Sequence, residues 1–167
     1  KPTLAVFQIG DVEASTRYIR NKKKDCEEVG IKFEWYYFPE EITTEELVQE
    51  IKDLNDYVDG LIVQMPLPDH IDETAIKLAI DPMKDVDGFH PMNVGNLCIG
   101  RKGFLSCTPA GVIELLKRYN IEIAGKECVV VGRSNIVGKP MSILLLRENG
   151  TVTITHSRTK DLKEVCK

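Results

Sequence analysis

The stretch Gly60-Leu61-Ile62-Val63-Gln64-Met65 narrows the choice of fold most. It is too short for a buried helix, and Pro66 and Pro68 stop it, because proline has no N–H to offer a helix or a ladder. A run that is apolar throughout except at Gln64 reads as a strand covered on both faces, which is the mark of a central parallel strand. Parallel neighbours can be joined only by long crossovers, usually helical. The rest of the chain should therefore alternate strand and helix.

It does so in order. Thr3–Ile9 is an apolar run closed by Gly10-Asp11, and a helix over Ser15–Val29 follows, with Ile19 and Cys26 among charges and Gly30 at its C′ position. Ile31–Phe38 alternates and is rich in aromatics, so it reads as a strand, closed by Pro39. A helix opens at Thr43 or Thr44, with Glu45 and Glu46 in its first turn and Leu47, Ile51 and Leu54 at helical spacing. After the Gly60–Met65 strand come a helix from about Asp72 to Ile80, a loop over 81–91 and an irregular, glycine-dotted stretch over 92–107. Thr108 then caps a helix to about Tyr119, with Pro109 at its first position. A second system follows: strand Glu127–Val131, turn 132–136, helix Val137–Glu148, strand Thr151–Thr155 and a polar restart at Thr159. The expected architecture is an α/β protein of two lobes, a parallel α/β substrate lobe over 1–120 with helices on both faces, and the start of a Rossmann-like dinucleotide-binding lobe over 121–167.

Bulk properties restrict the partners. With 43% hydrophobic residues in 167, the chain can bury a core, and its net charge of −4 argues against nucleic acid or an anionic membrane as the main partner. No apolar run approaches the roughly 20 residues that span a bilayer, and there is no leader, so a soluble, cytoplasmic protein is expected. The five cysteines are odd in number and lack a C-x-x-C pair, which fits reduced thiols, and neither they nor the three histidines have metal-ligand spacing. The chain starts at Lys1 without methionine and stops at Lys167 in a helix-like segment, so it reads as a fragment.

Two stretches carry chemistry. Tyr18 and Lys22, four apart, share one helical face and can converge on a small molecule; singly, each is as readily a packing aromatic and a solvated charge. Gly132-Arg133-Ser134-Asn135-Ile136-Val137-Gly138 is a glycine turn between strand and helix, where a pyrophosphate meets helix N-terminal amides. The spacing is not G-x-G-x-x-G, so a plain tight turn is an equal reading. The strand that follows ends in His156-Ser157-Arg158 without the carboxylate that NAD-binding units use for the ribose, and with Arg133 this favours NADP.

Four blocks taken together resemble the bifunctional methylenetetrahydrofolate dehydrogenase/methenyltetrahydrofolate cyclohydrolase family. They are Ser15-x-x-Tyr18-Ile19-x-x-Lys22-x-Lys24, Val63-Gln64-Met65-Pro66-Leu67-Pro68, Lys84-Asp85-Val86-Asp87-Gly88-Phe89-His90-Pro91-x-Asn93-x-Gly95 and Gly132-Arg133-Ser134-x-x-Val137-Gly138-x-Pro140-Met141. The resemblance implies NADP-dependent oxidation of methylenetetrahydrofolate to the methenyl form and its hydrolysis to formyltetrahydrofolate. Lys22 is implied as the catalytic lysine, Tyr18 as the ring that stacks on the folate, Gln64 as the lysine's hydrogen-bond partner and Asp87 as the pterin anchor. Val63 and Met65 line the substrate, and Gly132, Arg133, Ser134 and Ser157 hold NADP. A homodimer and a cleft between the lobes are implied as well. The chain departs from the family pattern at Met65, usually leucine, and at Ser106, usually proline. The rival readings are a non-catalytic binding or dimerisation module of the same fold, and an NAD-linked hydroxyacid dehydrogenase, which the absent ribose carboxylate disfavours.

Overall fold

A computed structural model describes residues 1–167, which form five strands and seven helices in two compact units, Lys1–Val86 and Asp87–Lys167. In the first unit the order is β1 (Thr3–Ile9), α1 (Glu13–Val29), β2 (Lys32–Phe38), α2 (Thr44–Asn55), β3 (Gly60–Val63) and α3 (Glu73–Ala79). The strands pair in parallel in the order β2-β1-β3, with Phe7 opposite Tyr36 on one side and Val63 on the other. Successive side chains of a strand point to opposite faces. Ala5, Phe7 and Ile9 accordingly enter one core with Leu47, Ile51 and Ile76 of α2 and α3, while Val6 packs with Ile62 and with Ile19 of α1. Both faces of β1 are thus covered, and β1 is the central strand; β3, expected to be central from its apolar run, lies at the edge of the three-stranded sheet, its residues buried by the helices on both faces and not by a further strand.

Local signals end the elements where expected, within a residue or two. Thr43 caps α2 through a complete capping box with Glu46, and Gly30 closes α1 in the left-handed conformation at φ 81°. Helix α1 starts earlier than Ser15 because Val12 serves as its N-cap without any side-chain bond. Strand β3 stops at Val63, although the Gln64 N–H still donates to the Phe7 carbonyl at 2.9 Å.

The second unit contains α4 (Pro91–Cys98), α5 (Cys107–Arg118), β4 (Glu127–Val131), α6 (Gly138–Arg147), β5 (Thr151–Thr155) and the single turn α7 (Leu162–Val165). β4 and β5 pair in parallel, Val131 opposite Thr155. Leu97, Ile113, Ile123, Met141, Leu144 and Leu145 form its core. Two expectations fail here. The stretch 92–107 is not irregular throughout, because His90 caps α4 by accepting the Met92 N–H on Nδ1 at 3.0 Å and Pro91 fills the first helical position; Gly95 inside the helix weakens its pattern in the sequence. Helix α5 begins at Cys107 with Ser106 as its N-cap, so Pro109 stands in its first turn but not at its first position. The chain's contacts also divide it at Val86–Asp87, earlier than a boundary near Asn120. The reason is that α4 and α5 pack on α6 and give Leu97 and Ile113 to the second core.

Candidate functional site

In the first unit the carboxyl ends of the parallel strands are the side on which α/β proteins gather ligands. β1 leaves the sheet through Gly10, whose φ of +69° suits glycine, and enters α1. Burial of Ile19 against Val6 and Ile62 turns its neighbours outward. Tyr18 is 59% exposed, and the Lys22 ammonium lies over its ring, 5.0 Å from the centroid. One turn further on, burial pushes the Cys26 thiol up, and the Lys22 charge partly offsets this. Tyr18 and Lys22 do converge.

Gln64 follows the buried Val63 at the carboxyl end of β3 and is half-buried, as is Met65. Its Nε2 donates to the Met65 carbonyl at 2.9 Å. The Lys22–Gln64 hydrogen bond implied by the resemblance is not formed in this conformation. Asp87 opens the second unit and is half-buried. Gly88 beside it has φ +69°, and a Cβ there would stand 2.8 Å from the Ser106 backbone nitrogen, so glycine is required for that approach.

In the second unit the turn after β4 is built by three residues. Gly132, at φ +132°, donates its N–H to Thr155 O at 2.9 Å, and the space where its side chain would stand is open. Ser134 Oγ accepts from the N–H groups of Val137 and Gly138 at 3.1 and 3.2 Å, replacing the cap that Val137 lacks. Gly138 is buried against the turn: a Cβ on it would stand 2.6 Å from the Gly132 carbonyl carbon and 2.8 Å from the Arg133 nitrogen. The buried Ser106 hydroxyl donates to the Ile136 carbonyl and ties the start of α5 to the same turn. Arg133 and Ser157 are exposed, each two residues beyond the paired Val131 and Thr155, so both lie at the carboxyl end of the β4–β5 sheet. There His156 Nδ1 accepts the Arg158 N–H at 3.1 Å, and no carboxylate appears before Asp161. The histidines and cysteines form no metal-binding cluster with the carboxylates.

One buried polar group escapes a reading by apolar runs. Gln8 counts as part of Thr3–Ile9, yet it is 2% exposed and hydrogen-bonded into the start of α1. A lone carboxamide in a strand covered on both faces is the signal that could have marked it.

The architecture is that of a parallel α/β unit joined to a Rossmann-like nucleotide-binding unit, a class that includes many dehydrogenases. A family model described as "Tetrahydrofolate dehydrogenase/cyclohydrolase, catalytic domain" matches residues 1–87, and its NAD(P)-binding companion matches residues 106–167. The chain belongs to the tetrahydrofolate dehydrogenase/cyclohydrolase family. It is 63% identical to the bifunctional protein FolD of Lachnoclostridium phytofermentans over 99% of this chain and 59% of that protein. It superposes on the crystal structure of the bifunctional enzyme FolD of Campylobacter jejuni with a TM-score of 0.96 at 50% identity, covering 98% of this chain and 59% of the other. It also superposes on a Trypanosoma brucei methylenetetrahydrofolate dehydrogenase-cyclohydrolase solved with NADP and an inhibitor, with a TM-score of 0.94 at 37% identity over 99% and 58% of the two chains. The chain spans about 59% of the length of the curated relatives it matches.

Proposed function

We propose that this chain supplies the folate site and the nucleotide-binding turn of an enzyme that oxidises methylenetetrahydrofolate with NADP and hydrolyses the methenyl product to formyltetrahydrofolate. The observation that carries the reading is the Lys22 ammonium held over the Tyr18 ring on the outward face of α1. An aromatic plate beside a mobile amine is what a flat substrate with a reacting nitrogen needs.

In the hydrolysis, a water oxygen bonds to the methenyl carbon and the C=N electron pair returns to nitrogen. Lys22, after passing its own proton to solvent, takes as a neutral amine the proton that the water gives up. It delivers that proton to the departing nitrogen as the carbon–nitrogen bond breaks, while the hydroxyl of the adduct gives its remaining proton to solvent and its electron pair closes the C=O of the formyl group on the other nitrogen. Tyr18 stacks on the substrate. Asp87 accepts two N–H bonds from the pterin edge, a charge-assisted pairing that orients a heterocycle. Met65 lines the substrate, Val63, whose side chain is buried in the core with α2 and α3, offers it backbone only, and Gln64 would exchange the Met65 carbonyl for Lys22.

The second unit suits a phosphorylated dinucleotide. Open space at Gly132, the close approach of Gly138 and the start of α6 leave room for a pyrophosphate at helix N-terminal amides. Arg133, Ser134 and Ser157 would hold NADP, the 2′-phosphate being favoured where no ribose carboxylate stands. Bound there, NADP would supply the acceptor for the hydride of the one-carbon bridge. The residues of this chain bind and orient the two partners. Five free cysteines fit a reducing compartment such as the cytoplasm, and no helix is long and apolar enough to cross a membrane. The exposed Val129, Val131 and Ile154 of the β4–β5 sheet support pairing of two copies through this unit.

The test is to add methylenetetrahydrofolate and NADP to the purified chain and follow NADPH, then to supply the methenyl compound and follow its hydrolysis. Turnover in both assays is expected. Folate binding without turnover in either would establish the inert module instead.

A further inference from the structure

We propose that Gln8 is a positioning residue: its carboxamide sets the first turn and the rotation of α1, and through them the Tyr18–Lys22 pair. Gln8 lies on the α1 side of β1 and is 2% exposed. Both N–H bonds of its Nε2 are spent on the entry to the helix, one on the Gly10 carbonyl at 3.1 Å and one on the Thr16 hydroxyl oxygen at 2.8 Å. A carbonyl can only accept, so Gly10 fixes which way the amide faces. Its Oε1 is then left buried without any partner, the only side-chain atom in the chain so placed.

An orphaned buried acceptor opposes folding, and a natural sequence keeps one where something else requires it. The requirement is visible in the helix. Only Ser15, Ile19 and Cys26 of α1 are buried, and its N-cap Val12 makes no side-chain bond, so few contacts hold its azimuth. Gln8 adds one at the turn that precedes Tyr18. Gly10 is held from the other side as well, its N–H donating to the Phe38 carbonyl at the end of β2 at 3.0 Å. The clamp therefore refers the helix to two neighbouring strands. A misplacement of about 1 Å in a reacting group can cost on the order of a hundredfold in rate, so a small rotation of α1 is enough to matter.

The inference rests on the folate reading for its catalytic consequence but not for the clamp itself. Two variants of the full chain test it, Gln8→Met and Thr16→Val, each keeping the side-chain volume and deleting one end of the bond, together with Thr16→Ser as the conservative replacement. Hydrogen exchange, which needs no folate, should show the Thr16–Ile19 amides at least fivefold less protected in Gln8→Met, with the Leu47–Ile51 amides of α2 unchanged. Methenyl hydrolysis should fall about tenfold in each single variant, no further in the double variant, and recover in Thr16→Ser. Unchanged exchange at Thr16–Ile19, or additive losses in the double variant, would overturn the clamp. Full hydrolysis by Gln8→Met would overturn its catalytic role. An inactive parent chain with the exchange change present would leave the clamp standing and overturn the folate reading and the catalytic consequence with it.

Discussion

Gly138 of α6 rests against the peptide of Gly132, so closely that a Cβ on Gly138 would stand 2.6 Å from the Gly132 carbonyl carbon. Backbone has nowhere to retreat there, unlike the end of a flexible side chain. Gly138→Ala should destabilise the second unit by about 1–3 kcal/mol, the usual cost of overpacking, and weaken NADP binding. Gly111, on the exposed side of α5 with no atom within 4 Å of an added Cβ, is the control. Gly111→Ala should stabilise by about 0.5–1 kcal/mol, because alanine loses less entropy in a helix. Urea denaturation of the two variants checks both signs.

Lys22→Met keeps the aliphatic stem over Tyr18 and removes the amine. Hydrolysis of the methenyl substrate should fall at least about a hundredfold, the scale of a lost proton-transfer group. Stability should change by no more than about 1 kcal/mol, the worth of an exposed cation–π contact. Steady-state hydrolysis rates and a thermal melt measure the two together, and full hydrolysis by the variant would refute the assignment of Lys22.

Cofactor choice should turn on the exposed positions at the end of the β4–β5 sheet. Arg133→Ala should weaken NADP by roughly tenfold, about 1.4 kcal/mol, and leave NAD nearly unchanged. Ser157→Asp introduces the carboxylate that a ribose hydroxyl pairs with and repels a phosphate, so it should shift preference toward NAD. Titrations of both nucleotides against each variant read the ratio directly.

The edge strand β2 carries a pH-sensitive cluster. Glu34 accepts from Lys32 Nζ at 2.6 Å and from the Tyr36 hydroxyl at 2.7 Å, and these bonds hold its carboxyl below the usual range, the Lys32 bond foremost. The same carboxylate, with burial, pushes the Tyr36 phenol up. A depressed carboxylate stabilises the fold above the ordinary carboxylate range and stops doing so as pH falls through its lowered value. A raised phenol stabilises below the ordinary phenol range and stops as pH rises through its raised value. Glu46, held down by the Thr43 N–H, adds to the acid side. Urea midpoints should therefore be highest at intermediate pH, and Glu34→Gln should flatten both limbs.

The fold was legible in the residues because its signals are local. A short run, apolar but for Gln64 and stopped by prolines, marked a parallel strand, Thr43 with Glu46 marked a helix start, and Gly30 marked a helix end; that β1 and not β3 is the central strand was not legible, because neighbour order depends on which crossovers pack. Helix α4 was not legible, because Gly95 weakens the pattern and its cap is the less usual His90. The pairing of Tyr18 with Lys22 was readable from a four-residue spacing, which the helix geometry alone enforces.

What the sequence by itself determined is every strand, the helices between them except α4, the parallel pairing and the family, since propensity, capping and motif spacing act within a few residues. The tertiary structure alone decided how those elements use their polar atoms. It placed Ser134 as the cap of α6, turned Gln64 to the Met65 carbonyl and spent the whole donor capacity of Gln8 on Gly10 and Thr16. These outcomes depend on which backbone groups packing leaves unpaired, and packing brings together residues that the order of the chain does not name.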